Sequence, residues 1–395
     1  MKTKKTRTLP RFFTQVIGSL PRPKLVHDLH VRRSEIPPER FRSVMDDMVR
    51  FAIRLQEQAG LDVVSDGEWR RVHYVDEFLR RIGGFERIRP FEHAGEKKFH
   101  LVVTRKMEPG DPVFAEDAEF LVRHTDRVTK FALPSPFLIR IRYWHENFSR
   151  EAYPTPEHFM EDLTRILARE ARALEQAGVD IVQLDDPALT YFCDRSLIGS
   201  SESHDERLRR QWDPERQIPP AIQAVNEIFE GLRTELHLHC CHSVYKRKSD
   251  VSGNYEPLLP FLEQARIDRI NLEFAYQQTG ELTDLRLLPA GMDVGMGVVD
   301  VRGDRLQETS EIEALGAGGA ELIGADRIAL NPDCGFAPDM GEPPSIDEAF
   351  EKLRRLSLAA HNLRARFAAS GGPSQVADDG TGALQESGSR RELGS

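Results

Sequence analysis

The sequence predicts one α/β unit, a single (β/α)8 TIM barrel with insertions after strands 2 and 4 and a disordered C-terminal tail. Three observations carry that prediction. Strand-like runs of β-branched and apolar residues alternate with helical patterns. Three helix-to-strand joints read alike: Gln58-Ala59-Gly60-Leu61-Asp62, Gln176-Ala177-Gly178-Val179-Asp180 and Leu322-Ile323-Gly324-Ala325-Asp326. In each, Gly supplies the left-handed residue that ends a helix. The 395 residues fit one barrel with insertions, since that fold runs from about 200 to over 400 residues.

Taken in order, the expected strands are Gln15 to Leu20, Asp62 to Asp66, a weaker one at Lys130 to Leu133, Ile181 to Leu184, Glu235 to Cys241, Arg269 to Glu273, Asp293 to Val299 and Arg327 to Leu330. A 3.6-residue stripe through Phe159, Leu163, Ile166, Leu167, Ala171, Leu174 and Ala177 predicts a helix that opens at Pro156 and closes at Gly178. A second helix is expected from about Ile222 to Leu232. Two stretches break the rhythm and read as insertions, Gly83 to Thr129 and Thr190 to Pro220. The predicted barrel spans 1–368. The remainder, 369–395, is rich in Ser, Gly and Asp and buries too little apolar surface to offset the entropy of ordering.

Composition narrows the function. Lys and Arg number 54 against 64 Asp and Glu, for a net charge of -10, and no basic stripe interleaves with aromatics, which argues against a nucleic-acid partner. No run approaches the roughly 18 apolar residues of a membrane span. The basic start lacks the apolar segment of a signal peptide, so a cytoplasmic location without a membrane partner is expected. Four cysteines, Cys193, Cys240, Cys241 and Cys334, are too few to staple a chain of this length. Thiols in a reducing compartment are more often metal ligands or nucleophiles.

The densest chemistry is His237-Leu238-His239-Cys240-Cys241-His242, at the end of the fifth expected strand. Alternation puts His237, His239 and Cys241 on one face and Cys240 and His242 on the other. Glu273 closes the sixth strand, and Cys334 follows the eighth. In a barrel those strand ends converge on one mouth, so His239, Cys241, Glu273 and Cys334 can meet around one ion. Two thiolates, an imidazole and a carboxylate suit tetrahedral Zn2+ better than Mg2+ or Ca2+. Carboxylates at the ends of strands two and four, in Asp66-Gly67-Glu68 and Asp185-Asp186, suit binding a substrate ammonium group or moving protons, or serve as N-caps and loop charges. Ile17-Gly18-Ser19 offers backbone groups and a hydroxyl to a ligand, although most such pairs are turns.

Seven segments in order resemble the cobalamin-independent methionine synthases, specifically their catalytic C-terminal barrel and its short stand-alone homologues. They are Val16-Ile17-Gly18-Ser19-Leu20-Pro21-Arg22, Asp66-Gly67-Glu68, Gln183-Leu184-Asp185-Asp186-Pro187-Ala188-Leu189, His237-Leu238-His239-Cys240-Cys241-His242-Ser243, Asn271-Leu272-Glu273, Gly295-Met296-Gly297-Val298-Val299-Asp300 and Asn331-Pro332-Asp333-Cys334-Gly335. The resemblance implies a zinc-dependent methyltransferase with zinc at His239, Cys241, Glu273 and Cys334. It implies homocysteine held by Ile17, Ser19, Glu68 and Asp185, and no catalytic residue beyond the zinc site. The second substrate would be a methyl donor, folate or methylcobalamin.

Two departures bear on the donor. The family's full-length members carry an N-terminal barrel that helps hold polyglutamyl folate, whereas this sequence has one barrel's worth of residues. Where the family places a proton-handling histidine, this sequence has Val298-Val299-Asp300-Val301-Arg302, and a guanidinium of pKa above about 12 is a poor proton donor. Methyl-folate leaves better when protonated, and methylcobalamin needs no proton. The short homologues also include enzymes that open epoxides with coenzyme M, which is the alternative chemistry on the same zinc. From another class, a non-catalytic zinc protein would have no use for the ammonium-binding pair Glu68 and Asp185, and its closed site would favour Cys and His over Glu273. Smaller features read as packing or surface: Trp69, Tyr143 and Trp144 as core aromatics or a stacking platform for a pterin or corrin ring, Arg70 and Arg71 as surface charges or contacts to an anionic tail, and Cys193 and Cys240 as buried spectators. His237 and His242 are expected to orient the ligands.

Overall fold

The computed structural model describes residues 5–93, 96–197, 213–338 and 341–369. Its strands are β1 (Phe13–Thr14), β2 (Val63–Val64), β3 (Phe85–His93), β4 (Glu96–Val103), β5 (Val128–Pro134), β6 (Ile181–Asp185), β7 (Glu235–His239), β8 (Arg269–Glu273), β9 (Asp293–Val299) and β10 (Ile328–Pro332). Eight of them form one parallel sheet in the order β1-β10-β9-β8-β7-β6-β5-β2. A parallel bridge from Gln15 to Val63 joins β1 to β2 and closes the ring. The architecture is the expected barrel.

Alternation along each strand gives the barrel interior three levels. At the bottom, Phe13, Val63, Val128, Ile181 and Ala329 form an apolar cluster at the strand starts. Gln15, Lys130, Gln183, His237, Asn271 and Asn331 follow as a buried polar level. Two residues further along their strands come Asp185, His239 and Glu273, at the mouth. Gly295 keeps the polar level compact: a Cβ there would stand 1.9 Å from Asn271 Oδ1 and 2.6 Å from Asn331 Oδ1.

Helices wrap the outside. Helix Pro156–Gln176 is capped at its start by Thr155 and buries the predicted stripe. The three joint glycines, Gly60, Gly178 and Gly324, have φ of 87, 92 and 91°. No helix among the described residues is long and apolar enough to cross a membrane.

Several expected boundaries are corrected. The first strand lies at Phe13–Thr14 instead of Gln15 to Leu20. Val16, Ile17 and Leu20 are buried as loop, so their apolar run signals burial and not ladder pairing. The fifth strand stops at His239, two residues short of Cys241. The stretch expected as one insertion from Gly83 to Thr129 divides into the antiparallel hairpin β3–β4, a helix Ala115–Arg123 that packs on β5, and the first two residues of β5 itself. Of the second, Pro219 and Pro220 lie inside helix Pro214–Phe229. Asp213 caps that helix, and its buried face of Ile218, Ala221, Ile222, Val225 and Ile228 outweighs the hydrogen bonds that proline cannot donate. Residues 198–212 and the expected tail beyond Ala369 lie outside the described residues.

Candidate metal and substrate site

His239, the last residue of β7, Cys241 two residues beyond it and Cys334 just past β10 bring a ring nitrogen and two sulfurs within 4.8 Å of one another. His239 and Cys241 are 3% and 4% exposed. His239 Nδ1 donates to Asp185 Oδ1 at 3.0 Å, which leaves Nε2 as the nitrogen available to a metal ion. Nε2 is buried and makes no hydrogen bond. A buried ring nitrogen beside two sulfurs, whose proton a metal ion would displace, makes a donor set that fits a soft, roughly tetrahedral cation.

Electrostatics separates these cysteines from the others. Cys241 donates to Cys334, which brings the Cys334 thiol down to about 6 against the effect of burial, with His239 adding to the shift. The Cys241 thiol, the donor of that pair, is pushed up. Burial opposes a charge on His239, yet its hydrogen bond to Asp185 and the nearby Cys334 sulfur raise it to about 10. The cluster is already polarised towards thiolate. Cys193 and Cys240 are buried where burial pushes both thiols up, which fits inert spectators.

Glu273 is completely buried beside this group and acts electrostatically on both sulfurs, but its oxygens are held from the other side. Oε2 accepts from the His242 backbone N–H at 3.2 Å and from Nδ1 at 3.0 Å; Oε1 accepts from Arg302 Nη2 at 2.8 Å. Burial would raise its pKa, yet the Arg302 charge and the His242 bond bring it to about 2. Strand alternation had set His242 on the face opposite His239 and Cys241. Because β7 ends at His239, the chain turns at Ser243, whose φ is 58°, and His242 reaches Glu273. His237 lies one level down, with its ring on Glu235 and 3.5 Å from Asn271 Nδ2.

The expected acceptor-binding residues include Asp185, bonded to His239, and Ser19, against the loop that carries Cys334. Glu68 is 5% exposed and sits at a strained φ of 59°, the kind of backbone that persists where its surroundings over-determine it. Burial raises its pKa, with Arg71 opposing and Asp185 adding to the rise, so the two carboxylates converge. The Ile17 carbonyl accepts from Gln183 Nε2 at 2.9 Å, and the same nitrogen reaches Asp185 Oδ1 at 2.7 Å. Ser19 lies against the Cys334 loop, its Oγ accepting from the Ala337 N–H and its carbonyl from the Phe336 N–H.

Other expectations resolve as packing. Trp69 is fully buried and stacks on Phe51; Tyr143 bonds Asp76, and Trp144 donates to the Tyr153 carbonyl. Arg71 is fully buried on Asp66 and Arg70 is paired with Asp46 and Asp117, so neither is a surface charge waiting for an anionic tail. Sequence reasoning missed what Gln183, Lys130 and Asp333 do. Lys130 carried a signal, a lone cation in an otherwise apolar strand.

Comparison with known proteins agrees with the geometry. The family model for the cobalamin-independent synthase catalytic domain matches residues 12–95 and 141–362. The methionine synthase of Pyrococcus horikoshii is 29% identical over 332 residues, 83% of this chain and 87% of that protein. That of Pyrococcus furiosus is 28% identical over 362 residues, 90% and 94% of the two chains. The solved structure of a B12-independent methionine synthase from Shewanella sp. W3-18-1 in complex with selenomethionine superimposes with a TM-score of 0.71 at 25% identity, covering 91% of this chain and 99% of that one. Since the match runs from β1 into the last helix, the chain belongs to the cobalamin-independent synthase family through its catalytic domain.

Proposed function

We propose that the protein is a zinc-dependent S-methyltransferase that transfers a methyl group to the thiol of homocysteine, with His239, Cys241 and Cys334 as metal ligands and Glu273 as the exchangeable fourth. The observation that carries this reading is the buried, unpartnered His239 Nε2 facing two cysteine sulfurs. The relatives in Pyrococcus and Shewanella, named as methionine synthases, supply the acceptor. A cytoplasmic location suits ligands that must stay reduced.

When bound, the ion supplies Lewis acidity that lets a thiol act as a thiolate near neutral pH. The chain's residues do the rest. Asp185 fixes the His239 tautomer so that Nε2 faces the donors. Glu68, together with the free oxygen of Asp185, takes the acceptor's ammonium group, and Ile17 and Ser19 receive its other polar atoms. Burial of these groups keeps water from competing for the methyl group.

The donor reading follows from Arg302. Its guanidinium is buried between Glu273 and Asp333, whose charges hold its pKa above the ordinary arginine value, so it keeps its proton. A donor whose leaving group departs without protonation, such as methylcobalamin or a sulfonium compound, fits this site better than methyl-folate. Zinc-loaded protein incubated with homocysteine and a panel of methyl-folates, methylcobalamin and sulfonium compounds tests both parts. Methionine from an unprotonated-leaving donor supports the reading. Absence of methionine with every donor removes it, and methyl-folate as sole donor removes the donor assignment.

A further inference from the structure

Glu273 and Arg302 are both fully buried and paired, and Arg302 has further partners of its own. The Arg302 backbone N–H donates to Asp300 Oδ1 at 2.7 Å, and Nη2 donates to the Ser243 carbonyl at 2.6 Å as well as to Glu273. Nη1 lies 3.9 Å from Asp333 Oδ2, an ion-pair separation, and the guanidinium stands 4.9 Å from the centre of the Tyr276 ring. Asp333 in turn accepts from the backbone N–H groups of Phe274, Ala275 and Tyr276, the three residues after Glu273. The guanidinium therefore keeps Asp333 and the Ser243 carbonyl as neighbours if Glu273 leaves, whereas the carboxylate would give up its bonds to Arg302 and His242 in moving.

We infer that Arg302 is a positioning residue that competes with the metal for Glu273, docking the carboxylate away from His239, Cys241 and Cys334 and leaving the fourth position to the acceptor sulfur. This rests on the metal reading above. Two charge arguments support it. With Glu273 on Arg302, two thiolates balance a divalent ion; a third anionic ligand would leave the centre at net charge -1 and a weaker acid towards an incoming thiol. When Glu273 swings to the metal, Asp333 and the Ser243 carbonyl remain beside Arg302, so neither position leaves a buried cation without compensation. A shorter histidine at this place would lack the planar fork that holds carboxylate and carbonyl together.

The test is a double-mutant cycle on the full chain, reading the zinc dissociation constant by chelator competition. E273Q alone is expected to change it less than about threefold, since the carboxylate is docked elsewhere. R302M frees Glu273 and is expected to tighten zinc binding by about tenfold, the scale on which groups behind a ligand act, with R302K changing it in the same direction by less. The double variant is expected within about threefold of the wild type, so the effect of R302M depends on Glu273. Should R302M fail to fold, R302K and its combination with E273Q complete the cycle. A weakened or unchanged affinity in a folded R302M or R302K, or the same tightening without Glu273, overturns the inference. If the wild type binds no zinc, or C241S keeps it, the metal reading itself fails; cysteine-dependent zinc without Glu273 coupling defeats only the role of Arg302.

Discussion

Two adjacent levels of the barrel interior are equally buried and comparably polar, yet they differ in one respect. In the middle level, Lys130 Nζ donates to Gln15 and Gln183, Gln15 donates to Asn271 and Asn331, and Asn271 donates to Gln183, with no polar side-chain atom of these five left unpartnered. At the mouth, His239 Nε2 and two Arg302 nitrogens make no hydrogen bond, and Glu68 sits on strained backbone. A closed hydrogen-bond set specifies a core, whereas an open one asks for a ligand. Buried polarity alone does not separate the two; satisfaction does.

The widest break between the levels is expected from C241S or C334S. Each should lose stoichiometric zinc and methyl transfer while the metal-free protein stays folded, because exchanging one sulfur for a smaller oxygen removes no carbon from the packed site. Metal analysis beside a melting curve checks both halves. Next is D185N, which removes the carboxylate that orients His239 and should weaken zinc by about 10- to 100-fold along with the acceptor. E68Q, at the same mouth, should weaken homocysteine binding and leave zinc unchanged. Equal zinc affinities in D185N and E68Q would mean that Asp185 does not orient the ligand.

In the middle level the expectation reverses. G295A pushes a methyl into Asn271 and Asn331 and should lower stability by about 1–3 kcal/mol with zinc stoichiometry retained, seen as a shifted urea midpoint. The last expectation concerns pH. Burial pushes the Lys130 amine down to about 7, below its unfolded value. Between those two values the unfolded chain binds the extra proton, so this group makes stability rise as pH increases above about 7. K130M should flatten that rise relative to the wild type; parallel profiles would show that the amine does not titrate there.

Much of this was legible in the sequence, for identifiable reasons. Seven of the eight barrel strands overlap their expected runs, because buried parallel strands are continuous apolar runs punctuated by turn residues, while the first lies just ahead of its expected run. Their ends were less legible. Val16 and Ile17 are as apolar as a strand but pack as loop, and Cys241 lies beyond the last paired residue of β7. At the mouth, strand-end convergence was enough to collect His239, Cys241 and Cys334. It could not say what holds Glu273, because His242 owes its place to a turn and Arg302 comes from the loop after β9. Partners 29 residues apart are fixed by the closed barrel and leave no local pattern.

The central claim is that three donors hold one soft metal with room for an added sulfur. Zinc-edge X-ray absorption of the loaded protein tests it most directly. The account predicts a shell of two sulfurs with nitrogen and oxygen, gaining a third sulfur when homocysteine is added. A sulfur-free shell, or one that homocysteine leaves unchanged, would contradict it.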